Sequence, residues 1–198
     1  QFVQGFEPQQ ASVNNLKVLM EQRLNKPEGI TVKLTPLPAA DFGKASYTIN
    51  DIVEIEKKYR QEYTTPEAIA VYFFFADAPF SESTANSRVL GVAYWNTSMA
   101  IFEKSIQEIS GGITQPDRTK VETVVMQHEL GHILGLVNLG TNMVTPHQDA
   151  SHGAHCNNDD CLMNWSVETG AVVQNLLGTG LPQLDQNCIN DLQANGGK

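Results

Sequence analysis

The chain has 198 residues, enough for one domain or two small subdomains sharing a cleft, and its 41% hydrophobic content is ordinary for a protein with a real core. Its formal net charge of -9 is spread along the sequence with no basic patch, which argues against nucleic acid or an anionic membrane as a partner. No run reaches the length of a membrane-spanning helix, so no transmembrane segment is expected. No charged-then-apolar leader opens the chain, and the first residue is Gln1 rather than Met. The expectation is a secreted, cell-surface or periplasmic protein with its signal removed, a cytoplasmic location being the alternative. A monomer is expected.

Residues 9–25 form the first expected helix, with Val13, Leu16, Leu19, Met20 and Leu24 at helical spacing and Pro27 and Gly29 as breakers. The alternating run 30–34 predicts a strand stopped by Pro36 and Pro38. A second helix is expected over 49–63. The segment 68–76 is rich in β-branched and aromatic residues and predicts a buried central strand. Two strands, 89–95 and 99–102, are joined at Asn96-Thr97-Ser98. The strongest helix runs from 119 to about Leu134, opened by Thr119 and Glu122 in capping-box spacing and closed by Gly135. Residues 136–165 are polar and irregular, and one weak helix lies near the C-terminus. This order predicts an α/β (α+β) fold with a twisted mixed sheet in an upper part, about 1–135, and a smaller loop-rich lower part, about 136–198.

All five histidines, at 128, 132, 147, 152 and 155, fall within 28 consecutive residues. Such clustering points to a metal. His128 and His132 stand four residues apart, which on a helix places both imidazoles on one face, a turn apart, able to bind one Zn²⁺. Glu129 lies beside the first ligand, where its carboxylate reaches a zinc-bound water, takes its proton and later delivers that proton to a leaving amine. The helix around them is apolar nearly all round, through Val124, Val125, Met126, Leu130, Ile133 and Leu134. Polar groups in such a helix need partners, and a metal supplies them. Catalytic zinc takes three protein ligands and keeps one position open, so a third ligand must follow the turn at Gly135. The residues alone leave Asn138, His147, His152 and His155 in competition, Asn being the poorest zinc donor.

The run His128-Glu129-Leu130-Gly131-His132-Ile133-Leu134-Gly135 resembles the metzincin clan of zinc metallopeptidases, whose pattern is H-E-x-x-H-x-x-G-x-x-H followed by a Met-turn. The position of the third His is Asn138 here. Further on, His155-Cys156-Asn157-Asn158-Asp159-Asp160-Cys161-Leu162-Met163 is similar to the archaemetzincin segment in which the third His is followed by Cys, four residues, Cys, one residue and Met. The resemblance covers about residues 119–166 and implies an insertion of seventeen residues before His155. It implies His155 as third ligand and Met163 as the Met-turn methionine. It also implies a metzincin fold, binding of an extended peptide or protein substrate along the strand pair Val89 to Phe102, and a pocket walled by Trp165 to Val172.

In archaemetzincins the two Cys after the third His bind a second, structural zinc with a later Cys-x-x-Cys. Here that later element reads Cys188-Ile189-Asn190-Asp191, with Asp at its last position. Cys156, Cys161 and Cys188 therefore remain open to a second metal or to one disulfide with a free thiol, and Asp159-Asp160 to calcium or to plain solvation. The expected function is a zinc-dependent metalloendopeptidase. The alternatives are a narrow aminopeptidase or peptide-processing enzyme on the same site, and a zinc-retaining binding or adhesion module that has no chemical need of Glu129.

Overall fold

The structure is a computed structural model that describes residues 1–84, 87–169, 176 and 180–198. Five strands form one sheet in the order β2-β1-β3-β5-β4: β1 (Phe2–Val3), β2 (Pro36–Leu37), β3 (Tyr72–Phe75), β4 (Gly91–Trp95) and β5 (Ser98–Ile101). β1 pairs in parallel with β2 and β3, and β3 in parallel with β5. β4 runs antiparallel to β5 and forms one edge of the sheet. The helices are α1 (Gln10–Arg23), α2 (Ile49–Tyr59), α3 (Glu103–Ile109), α4 (Arg118–Ile133) and α5 (Gln186–Ala194). The coarse α/β expectation stands: a mostly parallel five-stranded sheet with helices.

Both faces of the sheet are covered, as parallel sheets require. Met99 and Ile101 of β5 enter one apolar cluster with Phe75, Leu16 of α1, Leu130 of α4 and Leu192 of α5. Ala100 and Phe102 enter a second cluster with Phe74 and with Ile52 of α2. The period-two alternation of β5 thus feeds two cores. The first cluster draws on both halves of the chain, including Leu162, Met163 and Cys188. Glu56 of α2, 2% exposed, ties the second face together. It accepts from Arg60 Nη1 at 2.6 Å, Ser98 Oγ at 2.7 Å and Tyr94 OH at 2.6 Å, so its charge is fully partnered.

Several local expectations are corrected. Residues 30–34 form no strand; pairing is confined to Pro36 and Leu37, because Val32 and Leu34 stay exposed and gain nothing from a ladder. α2 ends at Tyr59 rather than 63, and β3 is limited to 72–75. α4 is capped by Asp117, whose side chain accepts from Lys120 N, and not by Thr119. Glu122, read as the capping-box partner, is buried and accepts from Gln9 N at 2.8 Å instead. β1 and α3 carry too short a pattern to be read from sequence.

The end of α4 follows expectation. Gly135 takes φ +80, its N–H donates to His132 O, and Leu136 N donates to Gly131 O at 3.1 Å. These two bonds make a Schellman closure, which satisfies the last carbonyls and turns the chain away from the helix.

Candidate metal centre

α4 is buried throughout from Val121 to His132, so its polar side chains must find partners inside the protein. The four-residue spacing sets the rings of His128 and His132 at 4.7 Å between centroids, with Nε2 atoms 3.0 Å apart. His155 completes the triangle, 5.3 Å from the His128 ring and 5.0 Å from the His132 ring. Its rivals lie elsewhere. Asn138 is exposed at φ +65. His152 is exposed and stacks on Trp165 at 4.3 Å. His147, expected as a surface residue of the insertion, is 1% exposed and belongs to a different cluster.

Two of the three rings are held by their far nitrogens. His128 Nδ1 donates to Leu162 O at 2.7 Å and His155 Nδ1 to His152 O at 2.6 Å, tautomers assigned from these contacts. Each Nε2 then offers a lone pair to the shared space. The 3.0 Å between the Nε2 atoms of His128 and His132 suits an N–H···N hydrogen bond when the His132 proton sits on Nε2, and two donors to one shared cation when it sits on Nδ1. Zinc at about 2.0–2.1 Å from each nitrogen of a tetrahedral site gives N–N separations of about 3.3 Å, so the three imidazoles fit the ion. Burial holds His132 down at about 4, which keeps its ring neutral and competent as a ligand.

A fourth group was not read from the sequence. Glu168 Oε1 lies 3.1 Å from His132 Nε2, 3.2 Å from His155 Nε2 and 3.6 Å from His128 Nε2. It follows the short 3-10 turn Trp165–Val167, and its own carbonyl accepts from Leu90 N at 2.8 Å. Trp165 to Glu168 were read only as pocket wall, and residues 170–172 of that wall lie outside the described residues.

Glu129 is fully buried, and neither carboxylate oxygen makes a hydrogen bond of good geometry among the described residues; its one backbone donor is the amide of Ala93 in β4, a weak contact. Burial, with the Glu168 charge adding to it, pushes this carboxyl well above its ordinary range. It sits against the edge strand: a Cβ on Gly91 would lie 2.6 Å from Glu129 Oε1. Gly91 therefore makes the room that Glu129 occupies. Met163 is fully buried against the same helix at Gly131.

A second cluster lies in the C-terminal part. Cys156, Cys161 and Cys188 are buried and free, with no disulfide among them. Cys161 Sγ and Cys188 Sγ stand 3.7 Å apart, beyond a bond of about 2 Å but close to the about 3.8 Å edge of a tetrahedral zinc–thiolate site. His147 Nδ1 faces Cys156 Sγ at 3.4 Å, while its Nε2 contacts Asp191 Oδ2 at 2.9 Å. Asp191, three residues after Cys188, thus orients His147. Amides of Met163 and Asp185 both donate to Cys161 Sγ at 3.4 Å. Hydrogen bonding from Cys156 and Cys188, helped by these amides, lowers the Cys161 thiol, while the same contacts raise the Cys156 and Cys188 thiols, so the three share their charge with Cys161 the first to ionise. Asp185 Oδ2 also lies 3.4 Å from Cys156 Sγ, but its Oδ1 accepts from Cys188 N to cap α5. Asp159 and Asp160 are exposed and join neither cluster.

Two groups among the described residues are thus able to hold a metal, one of His128, His132, His155 and Glu168, the other built on His147, Cys156, Asp185 and Cys188. No described helix is long and apolar enough to cross a membrane. Comparison with protein-family models, curated proteins and solved structures gave no match.

Proposed function

We propose that the chain is a zinc-dependent metalloendopeptidase with Glu129 as general base and His128, His132 and His155 as metal ligands. The single observation that carries this reading is Glu129 itself. A fully buried carboxylate without a well-formed hydrogen bond costs the fold several kcal/mol, and groups perturbed in this way cluster at functional sites. It stands next to His128 in the chain, beside three imidazoles and a carboxylate whose donor atoms converge closely enough to hold a metal ion.

Zinc bound there supplies Lewis-acid polarisation of a scissile carbonyl and makes a neighbouring water more acidic. Glu129 accepts the proton from the attacking water and passes it to the leaving amine. His128 and His155 are kept in one tautomer by the carbonyls of Leu162 and His152. β4, which among the described residues is an edge of the sheet and lies against Glu129, offers its backbone to an extended substrate by strand addition. The resemblance to metzincins, with Met163 packed on the active-site helix, is consistent with the same reading.

For the second cluster we propose a structural zinc held by His147, Cys156 and Cys188, with the fourth donor either Asp185 Oδ2, 3.4 Å from Cys156 Sγ, or Cys161 Sγ, 3.7 Å from Cys188 Sγ. This ion ties His147 to α5, and Asp191 orients the histidine.

Digestion of a peptide library by the zinc-loaded protein, set beside a Glu129→Gln variant, tests the peptidase reading. The variant is expected to keep its zinc and lose cleavage by about a hundredfold or more. Wild-type protein that binds zinc and cleaves nothing would favour the binding-module alternative.

A further inference from the structure

Glu168 is not needed by the peptidase chemistry, yet its carboxylate points to the place where the three imidazoles converge. We propose that Glu168 is an internal fourth donor of the histidine centre, which closes the resting site until a substrate or another metal-seeking group displaces it. This rests on the metal assignment made above for His128, His132 and His155.

The placement is specific. Glu168 Oε1 is 3.1, 3.2 and 3.6 Å from the three Nε2 atoms, so one oxygen faces all of them at once. Those separations match the edges of a four-donor tetrahedron around a zinc ion, about 3.3 Å. The second oxygen is not required. The donor types also fit, since a carboxylate beside imidazoles is an ordinary zinc ligand and lowers the net charge that a largely buried ion would otherwise carry.

The surroundings fit a displaceable ligand. The Glu168 side chain is 30% exposed, whereas those of His128 and His132 are 0% and 5% exposed. Glu168 therefore stands on the solvent side of the centre, where a substrate arrives. Its backbone is anchored by Leu90 N, on the segment that leads into β4, and the preceding turn is capped by Asn164 Oδ1 accepting from Ser166 N. The main chain is fixed while the side chain has three rotatable bonds, so the carboxylate swings away without unfolding anything. Leu90 immediately precedes β4, the strand proposed to bind substrate. A peptide added along β4 arrives at the place where Glu168 is tethered.

Two measurements test this without relying on turnover. The first is competition between the protein and a chelator for Zn²⁺, following the release step that His132→Ala abolishes. Glu168→Ala is expected to weaken that step by about tenfold or more. The second is calorimetric titration of the zinc-loaded protein with acetohydroxamate, which needs an open metal position. Removing the internal competitor is expected to tighten it by about tenfold, because a centre mostly closed in the free state taxes every entering ligand. Glu168→Asp, one methylene shorter, falls between wild type and the alanine variant, and near-UV circular dichroism checks that both variants are folded. Zinc and hydroxamate affinities unchanged in Glu168→Ala overturn the inference and leave the metal site standing; Glu168 then only ion-pairs with the histidines. A wild type with no zinc step sensitive to His132→Ala overturns the metal assignment, and the inference with it.

Discussion

A Cβ atom on Gly131 would lie 2.3 Å from Sδ of Met163 and 3.0 Å from its Cε. The helix that carries His128 and His132 therefore packs onto Met163 through a position with no side chain. Met163 is 0% exposed and has little room to retreat. In an open helix Gly→Ala stabilises by roughly 1 kcal/mol. Here overlap wins, and Gly131→Ala is expected to destabilise by about 1–3 kcal/mol in urea unfolding. Met163→Ala costs stability by itself, but the double variant loses less than the sum of the two. Additive losses would show that the two residues do not share this space.

Gly91 stands in the same relation to Glu129. Its absent Cβ leaves 2.6 Å to Glu129 Oε1 and 2.8 Å to Val125 Cγ1. Gly91→Ala pushes the Glu129 carboxylate aside while touching no metal ligand. The expected result is unchanged zinc content with kcat/KM for a peptide lowered about a hundredfold. Equal loss of zinc and activity would mean that the substitution disturbs the helix as a whole.

The two histidine clusters predict separable metal losses. His155→Ala removes a donor of the proposed histidine centre and is expected to release one zinc. His147→Ala is expected to release the other, and to expose Cys156, Cys161 and Cys188 to a thiol reagent. His152→Ala is expected to keep both ions, since His155 is held by the backbone oxygen of residue 152 and not by its ring. Elemental analysis of the three variants decides this. A His147→Ala protein with full zinc and protected thiols would remove His147 from the second site.

Away from both centres, α3 and α4 bring two carboxyl groups together. Arg118 Nη2 lies 2.7 Å from Glu103 Oε1 and 3.9 Å from Glu122 Oε1. Burial pushes Glu103 up to about 9, with the Glu122 charge adding to it and Arg118 offsetting only part. Glu122 moves in the same direction, again through burial. The folded pair thus holds a proton at neutral pH that the unfolded chain, at about 4.5, has already lost. Stability from this pair is complete below the unfolded value and is lost as pH rises towards 9. The slope is at most about 1.4 kcal/mol per pH unit for one proton. Urea unfolding of the zinc-loaded protein between pH 6 and 9 is expected to show this decline, and Glu122→Gln to flatten it. A wild-type profile already flat over that range would mean that no such proton is held.

The sequence alone determined what local geometry controls. His128 and His132 share a face because a helix repeats every 3.6 residues, and Glu129 follows His128 by covalent connection. Gly135 ends the helix because only a residue tolerant of φ +80 closes it there. The β4–β5 pair was legible from its two apolar runs and short connection. Where local signals were weak, the reading failed: 30–34 has strand alternation but no buried face, and α3 has too few turns to show a period.

Tertiary structure decided which distant groups meet. Nothing in the sequence of residues 138–154 distinguishes the buried His147 from the exposed His152; only the resemblance drawn from the segment 155–163 favoured His155 over both. His147 finds Asp191, 44 residues away, and Glu168 finds His132 across 36 residues. Loop closure over such distances costs little more for one partner than for another, so chain spacing does not rank them. Packing does. Gly91 and Gly131 read as ordinary glycines until a second segment is laid against them. Their meaning is the volume of Glu129 and Met163, which close packing of the folded core has no other place to put.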